Sequence, residues 1–153
     1  MLDAKKILVL VNGNPTDAAM IALASQTAKR SRAQVYAIHV IEVPRTLPLD
    51  HDLVEQRRAA DTILDDAERV ASESGLELET EILQARDVGT AVVEEAIEAQ
   101  VDLVMLGIPF RKKFGDLDLG KTVPYVLKNA PCNVWVYRER MPDRCSLVGV
   151  SCP

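Results

Sequence analysis

The chain has 153 residues, enough for one domain with a sizeable core and too few for two. Hydrophobic residues at 48% and charged residues at 27% exclude a disordered or fibrous chain. With 18 Lys and Arg against 23 Asp and Glu the net charge is -5, which argues against a nucleic acid duplex as partner, and six aromatic residues are too few to stack a single strand.

The first apolar run, Ile7 to Val11, has strand length, is too short for a signal peptide or a membrane span, and ends in Asn12-Gly13. A cytoplasmic protein without membrane insertion is expected. Continuous apolarity predicts a central strand covered on both faces. Asn14 or Thr16 can cap the next helix, Ala18 to Arg30, with Pro15 near its first turn. Gln34 to Glu42 is the second strand by its β-branched and aromatic content. After a proline-containing loop, apolar residues spaced by three and four from Leu53 predict a long amphipathic helix that ends at Ser74 before Gly75. Leu76 to Leu83 alternates apolar residues with Glu77, Glu79 and Glu81, the pattern of an edge strand.

Val88 to Ala99 reads as a third helix, and Val101 to Gly107 as a fourth strand, again central. A loop of about a dozen residues leads to a short helix, Gly120 to Asn129, which Pro131 stops before a fifth strand, Asn133 to Tyr137. Strands alternating with helices predict an α/β sandwich of three layers around a mostly parallel five-stranded sheet. One domain is expected over 1–140, followed by an aperiodic tail, 141–153, for which disorder is left open.

In such sheets ligands settle beyond the carboxyl ends of the strands where strand order reverses, so Asn12 to Thr16 and Gly107 to Gly120 are the first loops to consider. Gly120-Lys121-Thr122 opens a helix. Its first-turn amides, its dipole, a glycine, a lysine and a hydroxyl together suit a phosphate, although Gly120 as a plain turn and Thr122 as a cap explain the same residues. Gly115-x-x-x-x-Gly120-Lys121-Thr122 also satisfies the P-loop expression, but it begins eight positions after the strand end at Gly107 and no later strand offers an Asp for Mg²⁺. Arg111, Lys112 and Lys113 add charge to this loop, or are simply solvated. His39 and His51 lack neighbours for metal or catalytic work, and no nucleophile triad is visible, so catalytic and metal residues are assigned to none. Cys132, Cys145 and Cys152 are read as reduced thiols, with Cys132 buried and inert.

The polar end of strand one with Gly13 and Asn14, His39-Val40 in strand two, Val101 to Gly107, Gly120, and Val126-Leu-Lys-Asn-Ala-Pro-Cys-Asn-Val-Trp-Val-Tyr-Arg138 together resemble the universal stress protein family. The resemblance covers about Lys5 to Arg138. It implies a Rossmann-like sheet, a homodimer paired through Asn133 to Tyr137 and, in one subclass, binding of ATP or AMP, with Mg²⁺ accompanying ATP. In that subclass Gly-x-x-Gly, nine residues and Gly-Ser or Gly-Thr wrap the phosphates. Here Gly107 and Gly120 keep the frame, while Phe110 replaces the second glycine, Lys121 the Ser or Thr, and Asn12 the usual acid of strand one. On this pattern Asn12 and Asn14 serve the nucleoside, the Val40 backbone the adenine, and Gly107, Arg111, Gly120, Lys121 and Thr122 the phosphate. Hydrolysis would be slow, because these loops hold no evident general base. The alternative is a member without a nucleotide that regulates a membrane transporter or sensor by docking, which Asn12, Phe110 and Lys121 favour.

Overall fold

The first apolar run lies at the centre of the sheet. The computed structural model describes residues 4–113 and 115–141, and in it β1 (Lys6–Leu10) is flanked by β2 (Gln34–Glu42) and β4 (Leu103–Ile108). Ile7, Leu8 and Val9 are completely buried. A strand covered on both faces has no wet side for polar residues, which is why its apolarity is unbroken. β3 (Glu79–Ala85) lies beyond β2, and β7 (Asn133–Arg138) beyond β4. The order is β3-β2-β1-β4-β7, with every pairing parallel.

Alternation along the strands sorts the core into two layers. Ile7, Val9, Leu103 and Met105 pack with Met20, Ile21 and Ala24 of α1 (Thr16–Ser31) and with Leu64, Ala67 and Ala71 of α2 (Val54–Glu73). Leu8, Leu10, Val104 and Leu106 pack with Val92 and Ala96 of α3 (Val88–Glu98) and with Val123 and Val126 of α4 (Thr122–Asn129). Burying a side chain such as Met20 or Ile21 contributes about 1.5–3 kcal/mol. The stripe along α2 therefore faces its own sheet.

Four local expectations are corrected. β3 begins at Glu79, not Leu76, because the end of α2 uses the intervening backbone: Gly75, at φ +75°, donates to Ser72 O at 2.9 Å and Leu76 N–H to Ala71 O at 2.9 Å, a Schellman closure. Helix α1 starts at Thr16 rather than Ala18, with the Asn14 side chain accepting the Thr16 N–H at 2.9 Å. Helix α4 starts at Thr122 rather than Gly120, whose φ of +65° lies outside the helical region. Between β4 and α4 the presumed bare loop contains a small antiparallel hairpin, β5 (Lys112–Lys113) with β6 (Asp116–Leu117), closed by Asp118 N–H on Arg111 O at 2.9 Å. Of the tail 141–153, all but Met141 lies outside the described residues, as do Cys145 and Cys152.

Candidate functional site

From β1 the chain returns through α1 to β2 on one side, and from β4 it continues through α4 to β7 on the other. The connections part at the carboxyl ends of β1 and β4, which leaves a crevice between them. A cleft of about 390 Å³ lies there.

The β1–α1 loop is held by three side chains. Asp17 accepts the Gly13 N–H at 2.7 Å and the Asn12 N–H at 3.2 Å, so one carboxylate fixes the turn leaving β1. Burial raises the Asp17 pKa from its ordinary value, outweighing these two amides and the nearby His39, which lower it. His39 Nδ1 lies 2.8 Å from Val11 O and secures the end of the strand. Asn14 Oδ1 accepts from both the Thr16 amide and the Thr16 hydroxyl. The Asn12 side-chain amide has no hydrogen-bond partner among the described residues and lines the cleft.

The opposite wall is Gly107 and the chain entering α4. Gly107 belongs to the cleft lining, but the side where a Cβ would stand is filled by Thr16 and Met20, 2.8 Å from Met20 Cε. Its small size brings α1 close to β4. At Gly120 an added Cβ would meet nothing within 4 Å, so the space over that turn is open. The amides of Lys121, Thr122 and Val123 have no hydrogen-bond partner among the described residues. The Gly120 amide is engaged, donating to Asp118 Oδ1 at 3.0 Å.

The cations differ in their engagement. Lys121 Nζ lies 3.1 Å from Glu42 Oε1, at the end of β2, and 3.8 Å from Asp87 Oδ1. The Glu42 hydrogen bond raises the lysine pKa. Asp87 is also the N-cap of α3: its carboxylate accepts both the amide and the hydroxyl of Thr90 at 2.9 Å, and the amide bond is the main cause that lowers its pKa. Because the lysine is 70% exposed, these pairs hold it weakly. Arg111 lines the cleft, and its guanidinium has no partner among the described residues.

Seven of the eight residues chosen from sequence therefore line one cleft: Asn12, Asn14, Gly107, Arg111, Gly120, Lys121 and Thr122. Val40 does not; it is buried in β2. The Ile38 carbonyl accepts the Val11 N–H, so by strand alternation the Val40 backbone is also directed to the β1 side, past the end of that strand. Phe110 does not line the cleft. Its amide donates to Glu139 Oε2 at 3.0 Å, and the Arg138 guanidinium lies 5.5 Å from its ring centre. Sequence reading missed Asp17, Asp87, Glu42 and Asp118. An acid in a first helical turn signals Asp17, and Asp87 with Thr90 three residues on signals a cap. Nothing local signals Glu42, which meets Lys121 only through the fold.

Cys132 is half-buried at the entrance to β7, and burial raises its thiol pKa. No helix among the described residues is long and apolar enough to cross a membrane, and no group of three or more His, Cys, Asp or Glu among them is placed to hold a metal ion.

The sequence model of the universal stress protein family matches residues 4–138. A universal stress protein of Methanocaldococcus jannaschii is 27% identical over 141 residues, 88% of this chain and 82% of the relative. Among solved structures, a universal stress protein from Archaeoglobus fulgidus superposes with a TM-score of 0.73 at 22% identity, covering 86% of this chain and 97% of that one. A structure of the universal stress protein from Archaeoglobus fulgidus in complex with dAMP gives 0.70 at 18% identity, covering 88% and 98%.

Proposed function

The chain belongs to the universal stress protein family, and from that premise we propose that it is an adenine-nucleotide-binding regulatory protein of the stress response that acts as a homodimer. One observation carries the reading: the cleft at the switch between β1 and β4 gathers the Asn12 side-chain amide at one wall and three main-chain amides, Lys121 to Val123, at the other, all without a partner among the described residues. The first wall offers donor and acceptor for a nucleoside. The second offers the positive end of a helix for phosphate, with Arg111 and Lys121 beside it. The Val40 backbone, beyond the end of β1, is the assigned reader of adenine. Binding of dAMP by the similar Archaeoglobus fulgidus protein supports the ligand class. Dimerisation is assigned to β7, whose outer edge has no strand partner among the described residues.

The test is a thermal shift with AMP and adenosine, together with mass spectrometry of small molecules released from the purified protein. At a hundredfold excess over Kd, binding stabilises by about 2.7 kcal/mol, or about 5–10 °C in Tm for a chain of this size. Absence of both a shift and a bound nucleotide overturns the reading. That result would favour docking on a transporter or sensor, a second reading supported by one observation: carboxylates already engage the Gly120 amide and the Lys121 ammonium.

A further inference from the structure

The phosphate wall is more acidic than its Gly-Lys-Thr sequence suggests. Asp118 lines the cleft and holds the Gly120 amide at 3.0 Å, taking with its own carboxylate a donor that an anionic ligand would otherwise use. Lys121 is paired with Glu42 and faces Asp87. Arg111 is the cation of the cleft lining that has no partner among the described residues. Among the described side chains of this wall, two cations thus stand with three carboxylates, from three different parts of the fold: the end of β2, the N-cap of α3 and the turn before α4.

Such a wall still accepts one phosphate. Three open amides and Arg111 can neutralise a phosphomonoester, which carries about -1.5 to -2 at pH 7. Every further phosphoryl group brings more negative charge toward Asp118 and must also draw Lys121 away from Glu42. Like charges set against each other discriminate between ligands more strongly than they change the affinity of the best one.

Resting on the nucleotide reading above, we propose that this cleft selects adenine ligands of low phosphate charge, adenosine and its monophosphate, and that Asp118, Glu42 and Asp87 are the specificity residues that reject the triphosphate. A divalent cation arriving with ATP would offset these acids, so the test includes it.

The experiment is calorimetric titration of the full chain with adenosine, AMP and ATP, the last with and without Mg²⁺, repeated on Asp118→Asn and Glu42→Gln. Both changes keep one carbonyl acceptor for the Gly120 amide or the Lys121 ammonium while they remove the charge and exchange the second oxygen for an amide donor. Wild type is expected to bind AMP about tenfold or more tightly than ATP, and each variant to narrow that ratio to about threefold by improving ATP rather than weakening AMP. Added salt is expected to narrow the wild-type ratio as well, a readout that needs no variant. Mg²⁺ is expected to narrow the ratio; ATP binding more tightly than AMP without the metal, or a ratio that neither Mg²⁺, the variants nor salt alters, overturns the specificity while leaving the nucleotide site standing. Failure of all three ligands to bind overturns the nucleotide reading and the specificity with it.

Discussion

Replacing Gly107 by alanine tests whether the close approach of α1 to β4 shapes the cleft. The added Cβ would lie 2.8 Å from Met20 Cε and 2.9 Å from Thr16 Cβ, with Thr16 Oγ1 nearer still. Met20 and Thr16 are 0% and 1% exposed. The methionine methyl can swing aside, but Thr16 is β-branched and its hydroxyl is bonded to Asn14, so α1 has to move. Overpacking of this kind costs about 1–3 kcal/mol. The loss of unfolded-state freedom on replacing glycine returns about 0.4–1 kcal/mol. A net loss of about 1–2 kcal/mol, or about 2–8 °C in Tm, is expected for a chain of this length. Urea unfolding should show a lower midpoint with an unchanged slope. Because Thr16 holds Asn14, affinity for AMP should fall with stability. Gly120→Asn is the control: its Cβ meets nothing, asparagine tolerates a φ of +65°, and a change within about 0.5 kcal/mol is expected. If Gly107→Ala also stayed within about 0.5 kcal/mol, the close-packing argument would be refuted.

Asp87 and Asp17 should tilt stability in opposite directions with pH. Folding lowers the Asp87 pKa, so its stabilisation is complete above its unfolded value of 3.8 and is lost as pH falls through the native value. Asp87→Ala should therefore cost about 1 kcal/mol at pH 7 as a lost cap, and less in acid, by urea midpoints; a loss that does not vary with pH contradicts the cap. Folding raises the Asp17 pKa, so its contribution diminishes as pH rises from 3.8 through the native value, and Asp17→Asn should gain on wild type over that window. A difference between the two that stays constant from acid to neutral pH contradicts the burial argument. Val136, 38% exposed on β7, tests the proposed dimer: wild type should run as a dimer by light scattering and Val136→Glu as a monomer with unchanged far-ultraviolet dichroism, whereas a monomeric wild type contradicts the dimer and a dimeric variant contradicts the β7 interface.

The central strands were legible because burial on both faces leaves runs such as Ile7 to Val11 with no polar residue. β2 was read to the residue, as its β-branched content and flanking turns agree. β3 was misplaced by three residues because Leu76 and Leu78 continue its alternation, while the main chain there closes α2. Leu78 is buried before the strand begins. The β5–β6 hairpin was not legible: two-residue strands carry no periodicity. At the site, sequence order marked the two loops that form the cleft, since strand alternation dictates where they emerge. Charge balance was hidden. Lys121 reads as a free phosphate ligand, yet Glu42 lies 79 positions away in the chain and reaches it only because β2 ends and α4 begins at the same crevice. Asp118, two residues before Gly120, stood in plain view, but its bond to that amide depends on a turn that the hairpin sets.

The most direct measurement for the nucleotide site is an amide NMR titration of the full chain with AMP. Saturable shifts are expected at Asn12, Gly107, Arg111 and Lys121 to Val123, with smaller changes at Val40 and none along the outer face of α2. Saturable shifts confined to other surfaces, or a spectrum unmoved by AMP, would contradict the site at the ends of β1 and β4.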